Sequence, residues 1–117
     1  MPLPPADIRK ATVEELRAAR KAMMSTEWME NFNTLPESEQ KDAARLLFQV
    51  HQAIHKMENA KLADIRDKLV ANEKALGDGI ASLKAALKKI EKIAAAIKAI
   101  GQFLAIVARV VKLVAKA

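Results

Sequence analysis

The sequence predicts an all-α protein, and three observations carry that reading. Ala, Leu, Ile, Lys and Glu dominate a chain of 117 residues that holds only three Gly and four Pro, a composition that favours helix and gives strands little support. From Glu37 to Leu76 there is neither Gly nor Pro. Aliphatic residues then recur every seventh position from Leu62 through Leu69, Leu76, Leu83, Ile90, Ile97 and Leu104 to Val111, a heptad pattern far longer than the three or four repeats that chance allows. Aromatic residues make up 3% of the chain, so any core is aliphatic and suits helices meeting along seams.

The elements follow in order. Thr12-Val13-Glu14-Glu15 is a capping box and places the start of a first short helix at Thr12. Ser25 or Thr26 caps a second short helix carrying Trp28 and Phe32 four residues apart. Thr34-Leu35-Pro36-Glu37 is a further capping box with Pro in the first turn, where its missing N–H costs nothing. These features divide the single domain into an N-terminal arm of two short helices over 1–34, a long helix over 35–76, and a basic, apolar heptad helix over 80–117. Within the long helix, Ala43, Leu47, Val50, Ile54 and Met57 form a stripe one residue out of phase with Leu62, a skip that unwinds a supercoil without ending the helix.

Gly77-Asp78-Gly79 is the one breaker between the two long segments. With Gly77 as a left-handed cap and Asp78 capping the next helix, the chain folds back as a long antiparallel, coiled-coil-like hairpin. That hairpin would set Leu69 near Leu87 and Val50 near Ile106. The heptad phase is unbroken across the triplet, so one continuous helix is the alternative; two interior Gly cost a helix about 2 kcal/mol and favour the hairpin.

Residues 83–114 carry the predicted interaction seam: Leu83, Ile90, Ile97, Gly101, Leu104, Val107, Val111 and Val114. Beside it runs a row of small residues, Ala94, Gly101, Ala108 and Ala115, that lets another helix backbone approach closely. Charge is segregated too. Residues 1–79 hold 12 basic and 13 acidic side chains, whereas residues 80–117 hold eight basic ones and Glu91 alone. Lys84, Lys88, Lys92, Lys98, Arg109 and Lys112 form a basic face opposite the seam, which keeps an apolar helix soluble or draws it to an anionic surface. One Arg, and no aromatics interleaved with the lysines, argue against readout of nucleic acid.

Function classes narrow accordingly. There is no Cys, hence no thiolate nucleophile or thiolate metal site. His51 and His55 lie four apart with Glu58 one turn on, but Gln52 follows the first His, so the H-E-x-x-H pattern is absent. Both histidines fall off the apolar stripe and read as surface residues rather than zinc ligands. The serines and threonines read as caps, and no phosphate-cradling loop follows a strand. The expectation is a protein with no catalytic residues, cofactor, metal or small-molecule substrate.

Residues 93–115 contain no acid and are long enough for a bilayer, about twenty residues. Lys98, Gln102, Arg109 and Lys112 interrupt them, each basic residue costing about 3 kcal/mol at mid-membrane. A simple span is disfavoured; an amphipathic helix on an anionic membrane is the alternative to a protein core. With no secretory signal behind Met1, the expected location is cytoplasmic, with membrane association as the alternative. Over residues 35–117 the outline is similar in pattern to subunits of helical pore-forming toxins and to phage or secretion-system assembly proteins. The leading expectation is a structural or interaction protein that self-associates or docks on a protein partner through the seam. A membrane-active, pore-forming-type or peripheral subunit is the alternative.

Overall fold

Pro5 opens the first helix, where its fixed φ suits the first turn and its absent N–H would have lacked a partner anyway. In the computed structural model, which describes residues 3–89 and 92–113, helix α1 runs Pro5–Met23. Thr12, the expected start, lies inside it. Its buried hydroxyl donates to the Ile8 carbonyl at 2.8 Å, so the side chain is spent on the preceding turn instead of on a cap. Helix α2 runs Thr26–Phe32 and is capped by Ser25, whose hydroxyl accepts from the Trp28 N–H at 3.2 Å. Helix α3, Glu37–Asn59, begins later than the Thr34 capping box places it: Pro36 stands just before the first turn rather than in it, and the Thr34 hydroxyl donates to the Asn31 carbonyl at 2.6 Å instead of capping the helix.

The chain is all-α among the described residues, but its breaks are not where Gly and Pro would put them. The segment 35–76 is divided: α3 ends at Asn59, α4 spans Leu62–Ala71, and α5 spans Glu73–Leu87. The phase slip between Met57 and Leu62 is therefore a helix end. Ala60 and Lys61 turn to extended backbone, and the Arg9 guanidinium donates to the freed Ala60 carbonyl at 2.9 Å. Asn59 and Asn72 mark the two breaks. Each side-chain amide donates to the carbonyl four residues earlier, His55 and Lys68 respectively, both at 2.8 Å, a second donor to a last-turn carbonyl that, at Lys68, already accepts from the Asn72 backbone N–H.

The expected hairpin turn at Gly77-Asp78-Gly79 does not form; α5 passes straight through it. No Gly adopts positive φ among the described residues. Leu76 and Leu83 are both buried on one face of this helix, and that shared burial outweighs the helix cost of the glycines. The direction reverses instead between the end of α5 at Leu87 and the start of α6, Ile93–Val107; Ile90 and Glu91 lie outside the described residues.

Four helices close a ring. α1 packs on α3 and α5, and α6 packs on α5 and α3, while α4 lies along α1 and α2 bridges α1 to α6. Contacts along the chain fix the directions. Leu3 N–H meets Glu73 at 2.7 Å and Glu15 lies near Lys84, so α1 and α5 run the same way. Arg9 holds Ala60 and Arg17 pairs with Glu58, which makes α1 and α3 antiparallel. Gly79, well before the end of α5, lies against Phe103 and Ile106, well after the start of α6, and with so short a link between the two helices they are antiparallel. Helices α3 and α6 are therefore parallel neighbours. Residues 50 and 106 do belong to adjacent helices, but with the opposite sense to the antiparallel pairing expected.

The core gathers Leu16, Ala19, Val50, Met57, Leu69, Leu76, Leu83, Ile100, Phe103 and Val107, all within 2% of full burial. Gly79 has a steric reason to be where it is. A Cβ there would meet the Phe103 ring at 2.9 Å and Ile106 at 3.1 Å, whereas one at Gly77 would meet nothing within 4 Å.

Candidate interaction surface

The seam residues predicted from the heptads divide into two groups. Leu83, Leu104, Val107 and Val111 are buried within the single chain, so most of the seam is the protein's own core. Ile97 and Gly101 are half-buried at its edge. Ile90 and Val114 lie outside the described residues. The apolar stripe of α6 (Ile93, Ala96, Ile100, Phe103, Leu104, Val107) faces inward, which leaves a second face to solvent.

That second face borders α3. Of the four neighbouring pairs in the ring, α3 and α6 touch most sparingly. Two clefts follow one another along their junction. The first, about 160 Å³, is lined by Glu39 and Asp42 of α3 and by Ala94, Ile97 and Lys98 of α6. The second, about 270 Å³, is lined by Gln49, Gly101, Leu104, Ala105, Ala108 and Leu113. Of the small-residue row, Ala94, Gly101 and Ala108 thus border one groove; Ala115 lies outside the described residues. Beneath Gly101, Leu46 comes to 3.9 Å of where a Cβ would stand.

The predicted basic face is exposed along its whole described length: Lys84, Lys88, Lys92, Lys98, Arg109 and Lys112 all reach solvent. It is not one continuous surface. Lys84 lies opposite Glu15 of α1; Lys88 and Lys92 flank the α5–α6 turn; Lys98 stands on the groove; the Lys112 carbonyl receives the Lys56 ammonium. Acids concentrate elsewhere, with Glu27, Glu30, Glu37, Glu39 and Asp42 against Lys41 alone in residues 26–42. Because α3 and α6 are parallel, the acidic start of α3 lies beside the lysine-rich start of α6. Sequence reading missed this juxtaposition, since it depends on which helices become neighbours and in which sense.

Arg45 pairs with Asp42 at 3.2 Å and Lys41 with Glu37 at 3.5 Å. Among the described residues no ion pair engages Glu39 or Lys98, although both line the same cleft.

His51 and His55 are both exposed, and no group of three or more His, Cys, Asp or Glu converges among the described residues. Asn59 contacts the His55 ring Nδ1 at 3.2 Å. A wider cleft of about 420 Å³ between α1 and α3 is lined by Arg9, Lys10, Val13, Glu14, Arg17 and Glu58 among others, but Arg9 and Arg17 are already committed to Ala60 and Glu58. Glu15, expected only as the acid of the Thr12 capping box, is instead buried to 3% exposure with Oε2 lacking a hydrogen-bond partner. Desolvation raises its pKa, and the nearby Lys84 opposes that shift. A charged residue inside a buried helical period was the available signal.

No family model matches the chain, and no curated protein or solved structure matches it either.

Proposed function

We propose that this chain is a non-enzymatic helical interaction protein whose partner docks along the groove between α3 and α6. One observation carries the reading. The outer face of α6 combines small side chains (Ala94, Gly101, Ala105, Ala108) with the half-buried Ile97 and flanking charges, over two successive clefts. Small residues allow close approach of another backbone, an apolar strip supplies contact area, and a charged rim supplies orientation. In this reading the heptad seam does two jobs: its inner part builds the protein's core, and its outer edge, Ile97 and Gly101, is offered to the partner.

The membrane-active reading is less well supported. The apolar face of α6 is turned inward, and no helix among the described residues is long and apolar enough to cross a membrane. Lipid contact would require α6 to leave Phe103, Leu104 and Val107 uncovered.

A photo-reactive residue in place of Ala105 tests the docking surface in cells producing the protein. The control position is Asp67 on α4, whose side chain is fully exposed. Discrete protein adducts from position 105 and none from position 67 are expected. Equal labelling at the two sites would remove the groove as the docking surface. Adducts to lipid, with binding to anionic liposomes, would replace it with the membrane-active reading.

A further inference from the structure

We infer that the face bearing this groove is covered by a second copy of this chain, docked about a two-fold axis parallel to the groove so that each α3 lies over the other's α6. The inference rests on the groove being the docking surface, and it adds the partner and the geometry.

The argument is one of self-complementarity. A two-fold axis lying in the contact plane and along the groove exchanges its two walls, so whatever stands on the α3 wall meets whatever stands on the α6 wall at the same height. At the start of the groove the walls carry opposite charges: Glu39 and Asp42 on α3, Lys98 on α6. The rotation therefore sets Lys98 of each copy against Glu39 of the other, twice per dimer. Both are exposed, and neither takes part in an ion pair among the described residues. Between the walls, Ala94 and Ile97 form a short apolar floor. The perpendicular in-plane axis would instead stack α6 on α6 and bring Lys98 of one copy toward Arg109 and Lys112 of the other. Charge selects the first geometry.

The far end of the groove limits the contact. There Lys56 of α3 would approach Arg109 and Lys112 of the other copy's α6, so the two copies diverge and contact centres on residues 94–101. Such an interface falls below the roughly 800 Å² per partner of a standard stable complex. The dimer is accordingly of the weak, transient kind, and it loosens as salt screens the exposed pairs.

Sedimentation equilibrium on the full chain, at low and at high salt, provides the test. The parent is expected to show a reversible monomer–dimer equilibrium that shifts toward monomer at high salt. Lys98→Glu and Glu39→Lys should each place like charges across both contacts and weaken association about tenfold or more. Mixed in equal amounts, the two variants should recover parental association as a heterodimer, because each then offers the charge that the other lacks. Lys98→Gln and Glu39→Gln serve as milder variants, and circular dichroism checks that all four remain folded. Three results would overturn the inference: a monomeric parent, a dimer indifferent to the single charge reversals, or a mixture no more associated than its parts. A monomeric parent whose position 105 still cross-links to another protein overturns the self-docking and leaves the docking surface standing.

Discussion

Gly77 and Gly79 sit two residues apart in one helix, yet they answer to different physics. Gly77 is open to solvent, so Gly77→Ala should stabilise the protein by about 0.5–1 kcal/mol through helix propensity alone. At Gly79 the same change drives a methyl into the buried Phe103 ring. The propensity gain is then outweighed, and Gly79→Ala should destabilise by about 1 kcal/mol net of it. Chemical denaturation of the two variants side by side measures both signs. Glu15 poses an electrostatic counterpart. Its pKa is raised by burial, so the folded state holds this proton more tightly than the unfolded state does. Its contribution to stability is therefore fully present below the usual Glu range and is lost as pH rises through the folded value. Glu15→Gln should raise stability at neutral pH by about 1 kcal/mol and flatten this part of the pH profile. Lys84→Ala should lower stability at neutral pH, because it removes the cation that opposes the desolvation. Denaturant midpoints at pH 4 to 8 distinguish these outcomes from a pH-independent packing effect.

At the level of elements, caps and helix formers were legible, while chain reversals were less so. Ser25 opens α2 as its residue type leads one to expect, whereas Thr34 does not cap α3 and Pro36 lies just outside its first turn. Thr12 misled because a capping box is a local pattern, and Pro5 together with the buried face of Ile8, Leu16 and Ala19 extends α1 through it. The breaks at Ala60-Lys61 and across 88–92 contain no Gly or Pro. Tertiary contacts impose them: Arg9 takes the Ala60 carbonyl, and the covered faces of α5 and α6 meet antiparallel. The phase slip after Met57 was the visible trace of the first break. The heptads identified the buried residues well, yet could not say whether the seam's partner lay in the same chain or another. For the groove, the small-residue row was readable, whereas the acidic wall opposite Lys98 required knowing that α3 and α6 are parallel. Helix α2, seven residues long, is the element most dependent on its cap. Ser25→Ala should cost about 1 kcal/mol. As Trp28 is the chain's single tryptophan and is almost wholly buried, its fluorescence should report α2 loosening before the helical signal is lost.

For the molecule as a whole, the order of the helices matters as much as their packing. The ring alternates between antiparallel neighbours close in sequence, α1 with α3 and α5 with α6, and parallel neighbours far apart, α1 with α5 and α3 with α6. The nearby pairs close short loops and should form early; the distant pairs lock them together afterwards. The extended backbone at Ala60-Lys61 is the seam between these two halves. A chain divided at that bond gives two pieces, each an amphipathic helical unit whose apolar face is covered partly within the piece and partly by the other. Each piece alone should show weak helicity, and equimolar mixing should restore the parental circular dichroism, with a midpoint that rises with concentration. Two strongly helical, non-interacting pieces would show that the halves are autonomous. Reassembly would make this link a natural cut site, at which the protein becomes a two-component tag that reports when its halves are brought together.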